Sequence, residues 1–148
     1  MPIAKNFLKK KNATMPKDNL KKPINKLTPM FFTHSIKQKN DIHIISLTGD
    51  LIEKNQADKL IEEVNELIVK NQIRYVVDLG ALKYLNSSGL TILIQILTKA
   101  RKAGGEAVIV NVGKRIKELL IITKLNTVFT VTDTIEDGIS KLKNLTAN

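Results

Sequence analysis

The chain of 148 residues contains no cysteine, so disulfides and thiolate metal sites are excluded. Aromatic residues make up only 4% of it, too few to build a stacking platform for single-stranded nucleic acid. No apolar run approaches the ~20 residues that span a bilayer. The lysines near the N-terminus precede no apolar core of a signal peptide. A cytosolic protein without membrane insertion is therefore expected. The only histidines are His34 and His43, with no spaced acids beside them, so no metal site is expected. The phosphate-binding patterns G-x-x-x-x-G-K-[ST] and G-x-G-x-x-G are absent, as is the G-x-S-x-G nucleophile elbow. Asp50, Glu53 and Asp78 fall at strand ends, where acids are common. These absences argue against an enzyme, and no cofactor is expected.

Proline and glycine divide the chain. All four prolines lie within residues 1–29 and all seven glycines lie after them. Residues 1–29 hold eight lysines and one acid, Asp18. Residues 30–148 hold 16 basic and 13 acidic residues, so most of the net charge of +10 belongs to the first segment. Its apolar residues are sparse and interrupted by proline, which predicts a disordered basic tail. Lys9-Lys10-Lys11 and Lys21-Lys22 suit a nucleic acid or an anionic membrane surface, but a solvated tail is the simpler reading, and no specific nucleic acid is expected as partner. Translation starting at Met30 is the plainest alternative. Residues 30–148 form the expected folded domain.

That domain is organised around residues 78–103. An apolar strand, Tyr75–Leu79, runs into a short loop that ends in Asn86-Ser87-Ser88-Gly89 and opens a helix. Asn and Ser are preferred N-caps, because their side-chain oxygens accept the free N–H groups of the first turn. The same turn carries roughly half a positive charge, so a hydroxyl held there is well placed to carry a phosphate. In the helix, Leu90, Leu93, Ile94, Leu97 and Ala100 share one face. Ile92 and Ile96 occupy a neighbouring face, fit either for the core or for a partner. Gly104-Gly105 ends the helix.

Around this stretch the periodicity places further elements. Phe31–Gln38 and Asp41–Leu47 read as a hairpin turning at Lys39-Asn40-Asp41. In the second strand Ile42 and Ile44 face one way, and His43, Ile45 and Leu47 the other. A helix with Ala57, Leu60, Ile61, Val64, Leu67 and Ile68 on one side carries a charged outer face. Ala107–Val112 is a strand. Lys114–Leu125 is a helix with Ile116, Leu119, Leu120 and either Ile122 or Thr123 inward. Phe129–Thr132 is a last strand, and a final helix capped by Asp133 or Thr134 buries Ile135, Ile139 and Leu142. The order ββαβαβαβα predicts an α/β domain with parallel crossovers.

The pattern LxxLxYLNSSGLxxLIxxLxxAxxxGGE, over Leu79–Glu106, resembles the signature of the STAS domain, the fold of bacterial anti-sigma factor antagonists. The family form is a strand ending in Asp-Leu, then an aromatic and an aliphatic residue, then Asp-Ser-Ser/Thr-Gly opening a helix. Here these positions are Asp78-Leu79, Tyr84-Leu85 and Asn86-Ser87-Ser88-Gly89, and the resemblance runs from about Phe31 to Leu142. It implies a STAS fold: a mixed sheet of four to five strands, the first two in a hairpin, with flanking helices. It further implies an anti-sigma factor antagonist that binds a serine-kinase anti-sigma factor. Phosphorylation of the first serine of the motif, Ser87, switches it off, and a protein phosphatase resets it. ATP would belong to the kinase. The implied docking surface comprises Asp50, Glu53, Asn86, Ser87, Ser88, Gly89 and Ile92.

The chain departs from the family form where Asn86 replaces the acid before the serine. Ile52 also stands where an acid often follows the second strand, with Glu53 only next. Both make the field around Ser87 less negative, which favours either a phosphate already in place or a kinase of different specificity. Two other functions fit the sequence. One is a STAS module that is not phosphorylated and serves as scaffold or accessory, for instance beside a membrane transporter. The other is a nucleic-acid or membrane-surface binder driven by the tail.

Overall fold

The computed structural model describes residues 31–146; the basic tail expected over residues 1–29 lies outside them. Among the described residues, five strands form one mixed sheet in sequence order. β1 (Phe32–Lys39) and β2 (Ile42–Leu51) make an antiparallel hairpin turning at Asn40-Asp41. β3 (Arg74–Leu85), β4 (Glu106–Val110) and β5 (Thr130–Thr132) follow, each parallel to the strand before it. The crossovers are α1 (Asp58–Val69), α2 (Ser87–Lys102) and α3 (Lys114–Ile122), and α4 (Ile135–Thr146) closes the chain. The order is the expected ββαβαβαβα.

The alternation within the central strands sorts the core into two layers. Ile45, Leu47, Tyr75, Val77, Leu79 and Ile109 pack with α1, α2 and α3 on one face. Ile42, Val76, Val108 and Val110 pack with Leu142 of α4 on the other, where Ile44, Ile135 and Ile139 flank them. Both sides of these strands are covered, which is why their sequences are nearly continuous apolar runs. α2 ends where Gly104 takes a φ of 93°, a left-handed geometry that suits glycine.

Two expectations are corrected. β3 does not stop at Leu79 but runs to Leu85, so most of the expected Gly80–Ser88 loop is strand. It stays paired with β2 through two register shifts. Ser46–Thr48 faces Asp78–Ala81, and Gly49–Asp50 faces Leu82–Tyr84, so β3 carries an extra residue at each. Such bulges bend a strand and re-aim its end. The Asp78 carboxylate braces the first by accepting from Gly80 N–H at 2.9 Å and Asn111 Nδ2 at 3.0 Å. The other correction concerns α3. It ends at Ile122 rather than Leu125. Ile116 and Leu120 are buried, but Ile122 is 78% exposed and Thr123 is exposed, so neither turns inward.

Among the described residues, His43 is the one buried polar residue of the core, 4% exposed, with its Nδ1 lacking a hydrogen-bond partner. Its ring meets Tyr75 edge to face, the centroids 6.5 Å apart. Burial holds its pKa below 6.5. The unfolded chain then binds the proton more tightly than the folded one, so this contribution to stability is complete above about pH 6.5 and is lost as pH falls below it. His43→Phe is expected to flatten the pH dependence of the urea midpoint on the acid side of that value.

Candidate functional site

The site lies where β2 and β3 end together. Asp50 pairs with Tyr84 and Leu51 with Leu85 in the ladder. One residue after β3, Asn86 is still extended, with φ −116° and ψ −168°, and α2 begins at Ser87. Asn86 supplies the N-cap: its Oδ1 accepts from Gly89 N–H at 3.1 Å, and its carbonyl accepts from Leu90 N–H at 2.9 Å. The first of these satisfies one of the free donors of the first turn, and the second is the opening bond of the helix ladder.

The other end of the Asn86 amide reaches across the sheet. Its Nδ2 donates to the Ile52 carbonyl at 2.9 Å. The Ile52–Glu53 backbone is in turn held by Gln56, whose Oε1 accepts from both N–H groups at 2.9 Å. One polar network thus fixes the loop after β2, a short 3₁₀ turn (Lys54–Ala57) and the start of α2. No local sequence pattern marks Gln56 for this role. Its partners lie three and four residues back, and a glutamine there looks like any surface polar residue. Asn86→Ala removes both ends of its link and is expected to cost about 1–2 kcal/mol. Asn86→Asp keeps the acceptor but loses the donor to Ile52, so its urea midpoint should fall between those of the alanine variant and the parent.

Ser87 is the first helical residue and is exposed. Its carbonyl accepts from Thr91 Oγ1 at 3.0 Å, and its own hydroxyl takes no part in the cap. Ser88 is half-buried and Gly89 is buried, closely packed on Leu51 and Leu85. Glu53 is exposed and Asp50 half-buried. Ile92 lies elsewhere: at 1% exposure it belongs to the core, with Ile96, and forms the bottom of a groove of about 330 Å³ between α1 and α2. α2 is covered on two sides, by the sheet and by α1, so its buried arc is wider than a single apolar stripe.

Neither histidine is available to Ser87 as a base. His34 Nε2 and Glu63 Oε1 are 2.9 Å apart on the β1–α1 side. His43 pairs with Tyr75, near the start of β3, whereas Ser87 follows its end. At ~3.3 Å per residue that separation is roughly 30 Å. Among the described residues no group of acids and histidines is arranged to hold a metal, and no helix is long and apolar enough to cross a membrane.

The model of the STAS domain family matches residues 34–138. A protein of Bordetella bronchiseptica that carries the name of anti-sigma factor antagonist, BtrV, is 26% identical over 105 residues, covering 71% of this chain and 90% of that one. An anti-sigma factor antagonist of Mycobacterium paratuberculosis has a similar crystal structure, with a TM-score of 0.68 and 22% identity over 78% of this chain and 97% of that one. The Bacillus cell fate determinant SpoIIAA in its phosphorylated form superposes with a TM-score of 0.59 at 14% identity, covering 74% of this chain and 98% of that one.

Proposed function

Because the chain belongs to the STAS domain family, we propose that it is a cytoplasmic anti-sigma factor antagonist. In this reading it binds a serine-kinase anti-sigma factor around the start of α2 and is released when that kinase phosphorylates Ser87. The observation that carries the reading is an exposed serine at the first position of a helix whose cap is supplied by another residue, Asn86. The hydroxyl is accessible to a kinase and is not needed for folding. The name of the Bordetella relative and the phosphorylated form of SpoIIAA support the same reading.

The chemistry asked of this chain is small. It offers an acceptor hydroxyl, and the kinase brings ATP and the catalytic groups. The product carries about −1.5 to −2 charges and strong acceptor oxygens. The helix dipole favours that anion, so the fold survives the modification. A partner shaped for a neutral hydroxyl must instead desolvate a dianion, and a penalty of about 2.7 kcal/mol already costs a hundredfold in affinity. A phosphatase that removes the group restores binding.

The test is to incubate the full chain with ATP and each serine-kinase anti-sigma factor encoded by its host, and to map the product by peptide mass spectrometry. Phosphate on Ser87 together with loss of the complex is expected. A complex that persists after modification, or a phosphate placed only elsewhere, overturns the proposal in favour of a scaffold.

A further inference from the structure

A groove of about 300 Å³ runs between the end of β3 and α3. One wall is Lys83, Tyr84 and Leu85, the residues that lead directly into Asn86-Ser87; the other carries Arg115, Leu119 and Ile122. Its apolar surface is unusually open. Tyr84 is 55% exposed, Ile122 78% and the adjacent Ile121 55%. Exposed apolar surface of this kind, rimmed by charge, marks interaction sites. The Arg115 guanidinium lies 5.7 Å over the Tyr84 ring, and tyrosine and arginine are the side chains most enriched where binding energy concentrates.

The rim has a sign. Lys83 and Arg115 line the groove, Lys114 and Lys117 are exposed on the same helix, and Glu118 is the one acid on the wall. Among the described residues neither Lys83 nor Arg115 forms an ion pair. The groove between α1 and α2 is edged instead by Asp58 and Glu62, with Lys54 as its one cation. The two grooves are therefore of opposite charge, and an acidic partner segment is steered towards α3 and away from α1.

We propose that this groove is the specificity-determining part of the docking surface, and that it takes an acidic segment of the partner with an apolar side chain seated between Tyr84 and Ile122. This rests on the reading of the chain as an anti-sigma factor antagonist, and it accounts for the direction of the switch. Ser87 lies two residues beyond Leu85. A phosphate there adds negative charge to the segment that leads out of the basic rim, about 13 Å from Lys83 at ~3.3 Å per residue, a separation comparable to the Debye length of ~10 Å at 0.1 M salt. It competes for the same cations and repels the acidic segment.

The experiment uses the full chain and two fluorescein-labelled helical peptides, both with leucines at i, i+3, i+4 and i+7, one with glutamates and one with lysines elsewhere. The acidic peptide is expected to bind about tenfold or more tightly than the basic one. Ile122→Ser and Arg115→Glu are each expected to weaken it by about tenfold, as for truncated anchors, whereas Glu62→Lys leaves it unchanged. Both weakening substitutions are at exposed positions, and circular dichroism confirms that the variants are folded. Equal binding of the two peptides, indifference to both variants, or binding only to phosphatidylglycerol vesicles overturns the proposal. A host anti-sigma kinase, titrated in parallel, separates the two readings. If it binds Ile122→Ser and Arg115→Glu as well as the parent, the groove is wrong and the antagonist reading stands. If no such kinase binds the parent while the acidic peptide does, the antagonist reading fails and the groove stands.

Discussion

Ser87→Glu is expected to lose the anti-sigma kinase by about a hundredfold, while Ser87→Ala binds it as tightly as the parent and is not phosphorylated. The structure makes this a clean comparison, because neither substitution should disturb the fold. The Ser87 side chain is exposed and does not cap the helix, since Asn86 does. The Ser87 carbonyl that receives the Thr91 hydroxyl is backbone and survives both changes. Alanine is a good helix former at that position. Glutamate places a negative charge in the first turn, where it interacts favourably with the helix dipole by about 0.3–1 kcal/mol.

The two readouts should therefore move in opposite directions. Thermal melting of Ser87→Glu is expected at or slightly above the parent, and calorimetric titration with the kinase should show the loss of affinity. A glutamate variant that melts early would mean that the fold, not the interface, was damaged. One that is stable and still binds at the parental affinity removes the switch from this serine. Because glutamate carries one charge and a phosphoserine close to two, the modified chain should bind more weakly still.

The sheet was legible because its strands are covered on both faces. Ile42 and Ile44 do face one layer, and Ile45 and Leu47 the other, as alternation alone required. The helix after Asn86-Ser87-Ser88-Gly89 was legible from cap chemistry and the spacing of Leu90, Leu93 and Leu97. What escaped is non-local. The continuation of β3 through Gly80–Leu85 mixes polar and apolar residues without a clean period, because two bulges reset the alternation. The Asn86–Ile52 bond joins residues 34 apart in the chain, which no local pattern encodes. Ile92 and Ile96 lie on a face that the spacing leaves open to core or partner, and the packing of α1 beside α2 buries both side chains. Ile122 looked internal because its period continues that of Ile116 and Leu119, and the helix ends there. The sequence thus pointed to the serine, while the surface around it depends on how three segments meet.

That meeting point makes Gly89→Ala the most damaging small change at the site. A Cβ on Gly89 would stand 2.4 Å from the Leu51 carbonyl oxygen and 2.4 Å from Leu85 Cδ1. The Leu85 methyl can turn away. The Leu51 carbonyl cannot, because Leu51 is fully buried at the end of β2 and belongs to the sheet ladder. The first turn of α2 must back off instead, pulling Asn86 from Ile52 and weakening the cap. Overpacking against fixed backbone with loss of a cap is expected to cost about 2–4 kcal/mol, which lowers the melting temperature by roughly 10–20 °C for a domain of this size. Gly113→Ala is the control: nothing lies within 4 Å of its added Cβ, and its φ of −69° suits any residue. That change should shift stability by less than about 1 kcal/mol, lost capping being offset by a stiffer unfolded chain. If Gly89→Ala melts like Gly113→Ala, the close seating of α2 on the end of β2 is wrong, and with it the network that presents Ser87.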